Sequence, residues 1–307
     1  MRDVHERVGV EVELGGLSGP AVARLVQEAW GGRIEPESDH LLRVRGTRYG
    51  DVKVELDTLF TPKVAHAPEP IRQWATDLLR TTEGIVPMEI AGPPMRPADL
   101  PAWDDLLARL AAAGGTGTAD SMLAAFGVHL NPSLADTSVG ALHRWMLAFA
   151  LGFAWLEGRL GMDRTRRLLH VAEPYEEVYV EHLCRVDYGN DLAALIEDYI
   201  RANPTRSRAL DMLPVFAHLD PERVASALPR GAKSPRPTLH YRLPDSRVGE
   251  PGWSIVEEWQ RWLAIARLAT DPARLDDLRR RFLESGVDSR SETWREISGP
   301  WFETDDR

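Results

Sequence analysis

Apolar and polar residues alternate near the start of the chain. In "GVEVEL" (Gly9–Leu14), Val10, Val12 and Leu14 take every second position, with Glu11 and Glu13 between them. A period of two is that of a β-strand, and it sends both carboxylates to the face opposite the apolar row. Further strands are predicted at "LLRVRG" (Leu41–Gly46), "GDVKVELDT" (Gly50–Thr58), "IVPMEIAGPP" (Ile85–Pro94), "LAAFGVHLNP" (Leu123–Pro132) and "RPTLHYRLPD" (Arg236–Asp245). Helical segments separate them. "SGPAVARLVQEAW" opens at Ser18 and Pro20 and closes at Gly31-Gly32, "PEPIRQWATDLLRTTEG" covers Pro68–Gly84, and "LPAWDDLLARLAAAGG" covers Leu100–Gly115. From Val139 to Leu228 the spacing is helical with no strand pattern, and "SIVEEWQRWLAIARLA" and "PARLDDLRRRFLESG" are closing helices. The expected fold is α+β: a curved, mainly antiparallel sheet with helices on its convex side. Residues 1–307 are read as a single domain with a mostly helical region at about 139–228.

Composition narrows the function classes. The chain has 307 residues and a net charge of −10, so the basic footprint of a nucleic-acid binder is missing, and no polybasic run suggests an anionic membrane. A single cysteine, Cys184, excludes an internal disulfide framework and a multi-cysteine zinc site; its apolar neighbours point to core packing. The longest apolar run, "WMLAFALGFAWL" (Trp145–Leu156), has 12 residues where a membrane span needs about 20, so it reads as a buried central helix. The N-terminus has no apolar signal core, and the expectation is a soluble, cytoplasmic protein.

The polar oddities sit on strands. Glu11 and Glu13 share a face, as do Glu55 and Asp57, and as do His240 and Arg242; Glu89 and His129 lie on two further strands. Glu is a poor strand former and same-face carboxylates repel, so that face is either wet or covered by a cation. If these residues line one sheet face, the oxygen-rich cluster with imidazole suits magnesium or manganese. Each has a structural role open to it as well. Paired glutamates suit a water-facing side, His129 could be a hydrogen-bonded structural histidine, and Arg242 a surface ion pair. Trp253, Trp259 and Trp262 read as one inward helix face. The arginines of "RLGMDRTRRLL" (Arg159–Leu169) read as a solvated helix face, with phosphate binding the other reading.

"GVEVEL", "PMEIAGPP", "FGVHLNP", "NPTRSRALDMLPVFAHLD" (Asn203–Asp220), "YRLPDSRV" and "EEWQRWLAIARLA" occur in that order over roughly residues 7 to 270. Together they resemble the amidoligase family of the glutamine synthetase-like carboxylate–amine ligase superfamily. The resemblance implies a glutamine synthetase-like catalytic fold, ATP and Mg2+ (or Mn2+) as cofactors, and carboxylate and amine substrates, small molecule or peptide. It maps Glu11 and Glu13 to the metal-binding pair of the first strand and Glu89 to the acidic residue before the Pro-rich turn, a metal ligand with a catalytic part. His129 maps to the histidine of the Gly-x-His strand, in contact with metal and nucleotide. Arg242 maps to the late-strand arginine that meets phosphate or acyl phosphate. The chain departs from the pattern twice. His240 stands where a Glu often precedes that arginine by two, and Asn131 stands where many relatives carry a second His.

The chemistry answers the question raised by the paired glutamates. Making an amide from a carboxylate and an amine is uphill in water, and phosphorylating the carboxylate first makes it feasible. Phosphoryl transfer needs its spread negative charge neutralised. Carboxylates that hold magnesium let an acidic protein bind a polyanion. Glu55 and Glu83 are the candidate bases for the amine. Two other readings stay open on the sequence: a metal-dependent hydrolase on the same Glu/His face, and a binding protein that kept the fold without activity.

Overall fold

The structure, a computed structural model, describes residues 4–38, 40–56, 88–118, 126–161, 172–205, 207–227 and 235–303. The first strand, β1 (Val8–Leu14), is followed by α1 (Gly19–Trp30) and a meander of β2 (Arg33–Ser38), β3 (Leu41–Thr47) and β4 (Gly50–Leu56). Next come β5 (Met88–Ala91), α2 (Pro101–Ala112), β6 (Val128–Pro132) and a 22-residue helix, α3 (Val139–Leu160). The chain continues through α4 (Glu177–Arg185), α5 (Leu192–Ala202), β7 (Leu210–Asp211), α6 (Leu213–Leu219), α7 (Pro221–Ala227) and β8 (His240–Tyr241). It closes with α8 (Ile255–Ala269), α9 (Pro272–Ser285) and α10 (Glu292–Ser298).

Among the described residues the strands form one open, eight-stranded sheet in the order β2-β3-β4-β5-β1-β6-β8-β7, with every neighbouring pair antiparallel. This agrees with the antiparallel α+β expectation. Val8, Val10, Val12 and Leu14, the apolar row of β1, are all fully buried, and they join a hydrophobic cluster that runs on to Phe302. Helix α1 begins after Ser18, carries Pro20 in its first turn, and ends at Gly31 with φ 81°. Its buried face, Val22, Ala23, Val26 and Trp30, packs over β3 and β4.

The apolar run of residues 145–156 lies inside α3, as predicted. Ser138 caps the helix by accepting a hydrogen bond from Ala141 N–H, and Gly161 ends it with φ 57°. By length and composition the helix could cross a membrane, but 83% of its apolar window is buried inside the fold. It packs against α4, α8, α9 and α10. Trp145 stacks on Trp262 of α8 at 5.7 Å, and Phe149 meets Tyr241 of β8 edge-on at 6.0 Å. This aromatic contact joins the helices to the apolar face of β6 and β8, where Leu130 pairs with Tyr241.

Several expectations are revised. The strand expected over 236–245 is a regular ladder only at β8, because Pro237 and Pro244 lack the N–H a ladder needs. Isolated bridges Ser133–Thr238 and Gly127–Asp245 still carry the segment along β6. Asn131 and Pro132, the last two residues of the strand expected at Leu123–Pro132, are paired in β6 with Gly9 and Val8. Strand β7 lies in the region expected to be mostly helical, where no strand pattern was read. Trp259 and Trp262 are buried as predicted, whereas Trp253 precedes the helix and donates its indole N–H to Glu258 Oε1 at 3.0 Å. Cys184 is buried, and burial pushes its thiol up to about 12, in keeping with core packing. The helix expected at Pro68–Gly84, together with Asp57, Glu83 and most of the "RLGMDRTRRLL" segment, lies outside the described residues.

Candidate active site

Strand register decides which polar residues meet. Directly paired residues of an antiparallel ladder share a face. Glu11 pairs with His129 and Gly9 with Asn131 across β1 and β6, while Glu13 pairs with Glu89 across β1 and β5. Glu89 also pairs with Glu55 of β4, and His240 of β8 pairs with Asp211 of β7. The polar groups of six strands therefore stand on the face opposite the apolar row of β1.

Burial separates this face into two zones. Over β2, β3 and β4 it is a partly exposed ion-pair ladder in which Glu35, Glu37 and Asp51 meet Arg33, Arg43 and Arg45, and Glu55 meets Lys53. The wet-surface reading of alternating charge holds there. It fails at β1 and β6, where Glu13 is 4% exposed and His129 5%.

Hydrogen bonds hold the buried zone in place. His129 Nδ1 lies 3.0 Å from Glu11 Oε2, and His129 Nε2 lies 4.0 Å from Glu13 Oε1. Glu11 Oε1 accepts from Asn131 Nδ2 at 3.1 Å and from Arg236 Nη2 at 3.4 Å; the same Arg236 nitrogen donates to Asn131 Oδ1 at 2.7 Å. Glu13 Oε2 accepts from the Gly127 N–H at 2.8 Å. Burial alone would raise the Glu11 carboxyl. The hydrogen bond from His129 and the charges of His129, His240 and Arg236 outweigh it and hold Glu11 well below the usual carboxylate range. Burial brings His129 down to about 4 against the pull of Glu11, so its ring is neutral at pH 7. A neutral ring that donates from Nδ1 to Glu11 has its lone pair on Nε2, and that buried atom has no hydrogen-bond partner.

The donor set fits a divalent cation. Glu13, Glu89 and His129 each offer a ligand atom, all within 4.8 Å of one another, and Glu11, His129 and His240 form a second such group. The structure thus brings Glu11, Glu13, Glu89 and His129 to one place. Arg242 follows His240, donates its backbone N–H to Ala209 O at 2.9 Å, and places its charge near enough to lower His129 further. Glu55, one candidate base, is on the same face but is ion-paired with Lys53.

Two residues of this zone were missed by the sequence reading. Asp211 sits in an irregular apolar stretch with no period to mark it. Arg236 sits at the end of a Pro-rich loop, and only its position six residues before Arg242 hints at the site.

The chain matches, over residues 5–264, the model of a family described as "Putative amidoligase enzyme". No curated protein and no solved structure matches it. The match covers most of the chain and takes in β1, β5, β6 and β8 with every polar group just placed around His129, and on that ground the chain belongs to the amidoligase family.

Proposed function

We propose that this amidoligase is an ATP-dependent carboxylate–amine ligase of glutamine synthetase-like fold, working with Mg2+ or Mn2+. The observation that carries the metal reading is the His129 Nε2 atom. It is buried, neutral and unpartnered, and it stands in a wall of carboxylates held by backbone and side-chain donors. A buried polar atom without a partner costs roughly 1–3 kcal/mol, a cost that a bound ligand removes.

Glu11, Glu13, Glu89 and His129 are the residues that would hold the cation. When bound, it supplies neutralisation of the phosphate charge that spreads during transfer. The chain's own part is positioning. Asn131 and Arg236 fix the Glu11 carboxylate, the Gly127 N–H fixes Glu13, and Glu11 fixes the His129 ring. Arg242 is assigned to the phosphoryl or acyl-phosphate charge, for which a guanidinium offers a two-pronged donor. The carboxylate substrate takes the γ-phosphoryl group and the amine then displaces phosphate, in a site that ordered side chains have already arranged.

Two measurements test this. Phosphate release from ATP, with and without mixtures of amino acids and amines, should require a divalent cation and should rise with the right pair of substrates. Magnesium-ATP should raise the melting temperature more than either component alone. A protein that gains nothing from magnesium-ATP and releases no phosphate under any mixture is not a ligase of this kind.

A further inference from the structure

The C-terminal half of α3 borders a cavity of about 590 Å3, a size that suits a small-molecule ligand. Trp155, Gly158 and Arg159 of α3 form one wall; Arg295 and Glu296 of α10, with Glu303 from the turn after it, form the other. The family match ends at residue 264, so the second wall belongs to a part of the chain that the match does not cover. None of these residues takes part in the site around His129.

The core fixes both walls. Trp294 of α10 donates its indole N–H to Leu151 O at 2.9 Å, and Phe302 stacks on Trp155 with ring centroids 5.1 Å apart. Phe302 comes this close to α3 because residue 152 is glycine: a Cβ there would stand 2.9 Å from its ring. A site already in place costs its ligand less to occupy.

Three observations point to an occupant. Trp155 is 8% exposed, and its Nε1 is buried without a hydrogen-bond partner. An indole N–H can only donate, so it needs an acceptor from elsewhere. Gly158 is the second. A Cβ added to it would lie 2.7 Å from Arg295 Cδ and 3.3 Å from Arg295 Nη1, so the arginine lies across the helix where glycine leaves room. Glycine inside a helix is less favourable than alanine, and here the helix gives up that stability to seat a guanidinium. The third is charge. Arg159 meets Glu303 at 2.6 Å and Arg295 meets Glu292 at 2.6 Å, but both pairs are open to water and bind weakly enough to exchange for a ligand's charge. Glu296, exposed on the same wall, has no hydrogen-bond or ion-pair partner among the described residues.

We infer that this cavity binds a small zwitterion, an amino acid or a dipeptide, with its carboxylate on the Trp155 N–H and the Arg295 guanidinium and its ammonium on Glu296. The inference goes beyond the proposed function and does not depend on it. Guanidinium and indole offer only donors, and a carboxylate offers only acceptors. Glu296 supplies the opposite charge for an ammonium. Arg159 lies over the Trp155 ring at 5.9 Å, which gives the cavity a flat cationic side.

The test is isothermal titration calorimetry of the full chain, without metal or nucleotide, against the free amino acids and dialanine; the two ligand sizes separate amino acid from dipeptide. One-to-one binding is expected, weakened about tenfold by N-acetylation and about tenfold by amidation of the carboxylate. Glu296→Gln should weaken the free ligand about tenfold and leave its N-acetylated form unchanged. Trp155→Phe should weaken binding about fivefold, the loss of one hydrogen bond. Gly158→Ala should melt at the same temperature as wild type or higher, yet bind no ligand, because its methyl group displaces Arg295. If nothing binds, the inference is overturned. Binding that survives both Gly158→Ala and Glu296→Gln also overturns it, since the ligand then sits elsewhere; the ligase reading is untouched in either case. Glu296 is exposed and Gly158→Ala favours the helix, so the test stands even if Trp155→Phe does not fold.

Discussion

Lowering the pH should destabilise this protein through His5, and the loss can be assigned to that one residue. His5 is 1% exposed, ringed by Trp145, Trp259 and Trp262. Its Nδ1–H donates to Ser133 O at 2.7 Å, and its Nε2 accepts the indole N–H of Trp262 at 3.0 Å. That bonding pattern needs the neutral ring. Burial lowers its pKa from 6.5 to about 4, with the Ser133 bond pulling weakly the other way. The unfolded chain therefore takes up its proton first as pH falls. The contribution is intact above 6.5, declines below it, and is fully lost once the folded form also protonates near 4. The whole interval is worth about 3 kcal/mol, and the part between pH 7.5 and pH 5 about 2 kcal/mol. Urea unfolding at those two pH values should show wild type losing about 2 kcal/mol more than His5→Gln. His129 also titrates near 4 and contributes to both proteins, so it drops out of the comparison. If the two proteins lose stability in parallel, to within about 0.5 kcal/mol, the buried neutral His5 is refuted.

Glu13→Gln keeps an oxygen for the Gly127 N–H and removes one buried anion, so its melting temperature without metal should stay level or rise, while the stabilisation by magnesium-ATP falls; an unchanged magnesium-ATP shift would remove Glu13 from the metal site. Asn131→Ala leaves both Glu11 Oε1 and Arg236 one partner short, and denaturant melts should show a loss of about 1–2 kcal/mol. Cys184, buried and with its thiol pushed up to about 12, should react with a thiol reagent only as fast as the protein unfolds; rapid labelling of native protein would contradict the packing.

The parts of this protein that were readable in its sequence are those where one strong period acts alone. The row Val8, Val10, Val12, Leu14 fixes which face of β1 is buried, and so it fixes that Glu11 and Glu13 point the other way. The apolar run in α3 is unmistakable because burial on all sides leaves no room for polar residues. Strand β2, "RIEPES", was not readable: as the sheet's outer strand it needs no second neighbour, so it tolerates Pro36 and a nearly all-polar sequence. Strand β7 has two residues, too few to show any period. The site was legible as a set of strands with odd charges, but not as a register. Nothing local says that Glu11 faces His129 rather than its neighbour, because pairing over more than a hundred residues is settled by the packing of the whole core.

That division explains why the second zone of the sheet face is not simply a continuation of the first. Over β2 to β4 each described acidic group, Glu35, Glu37, Asp51 and Glu55, has a nearby Arg or Lys, so charge is balanced by partners that remain in contact with water. Around His129 the balance is different. Glu11 is satisfied by three donors, yet the two imidazoles beside it are not, and Asp211 has one oxygen idle. Surface ion pairs contribute little to stability and can drift without harm. Buried, half-satisfied polar groups cost free energy, and they persist only where the surrounding packing holds them against relaxation. Here the hold comes from the apolar face of the same strands: Leu130 under His129, and Tyr241 next to His240, locked against Phe149 and Trp262. The hydrophobic core thus does chemical work at a distance of one strand thickness. It keeps an incomplete set of donors open, and under the proposed function a cation would complete that set without first having to assemble it.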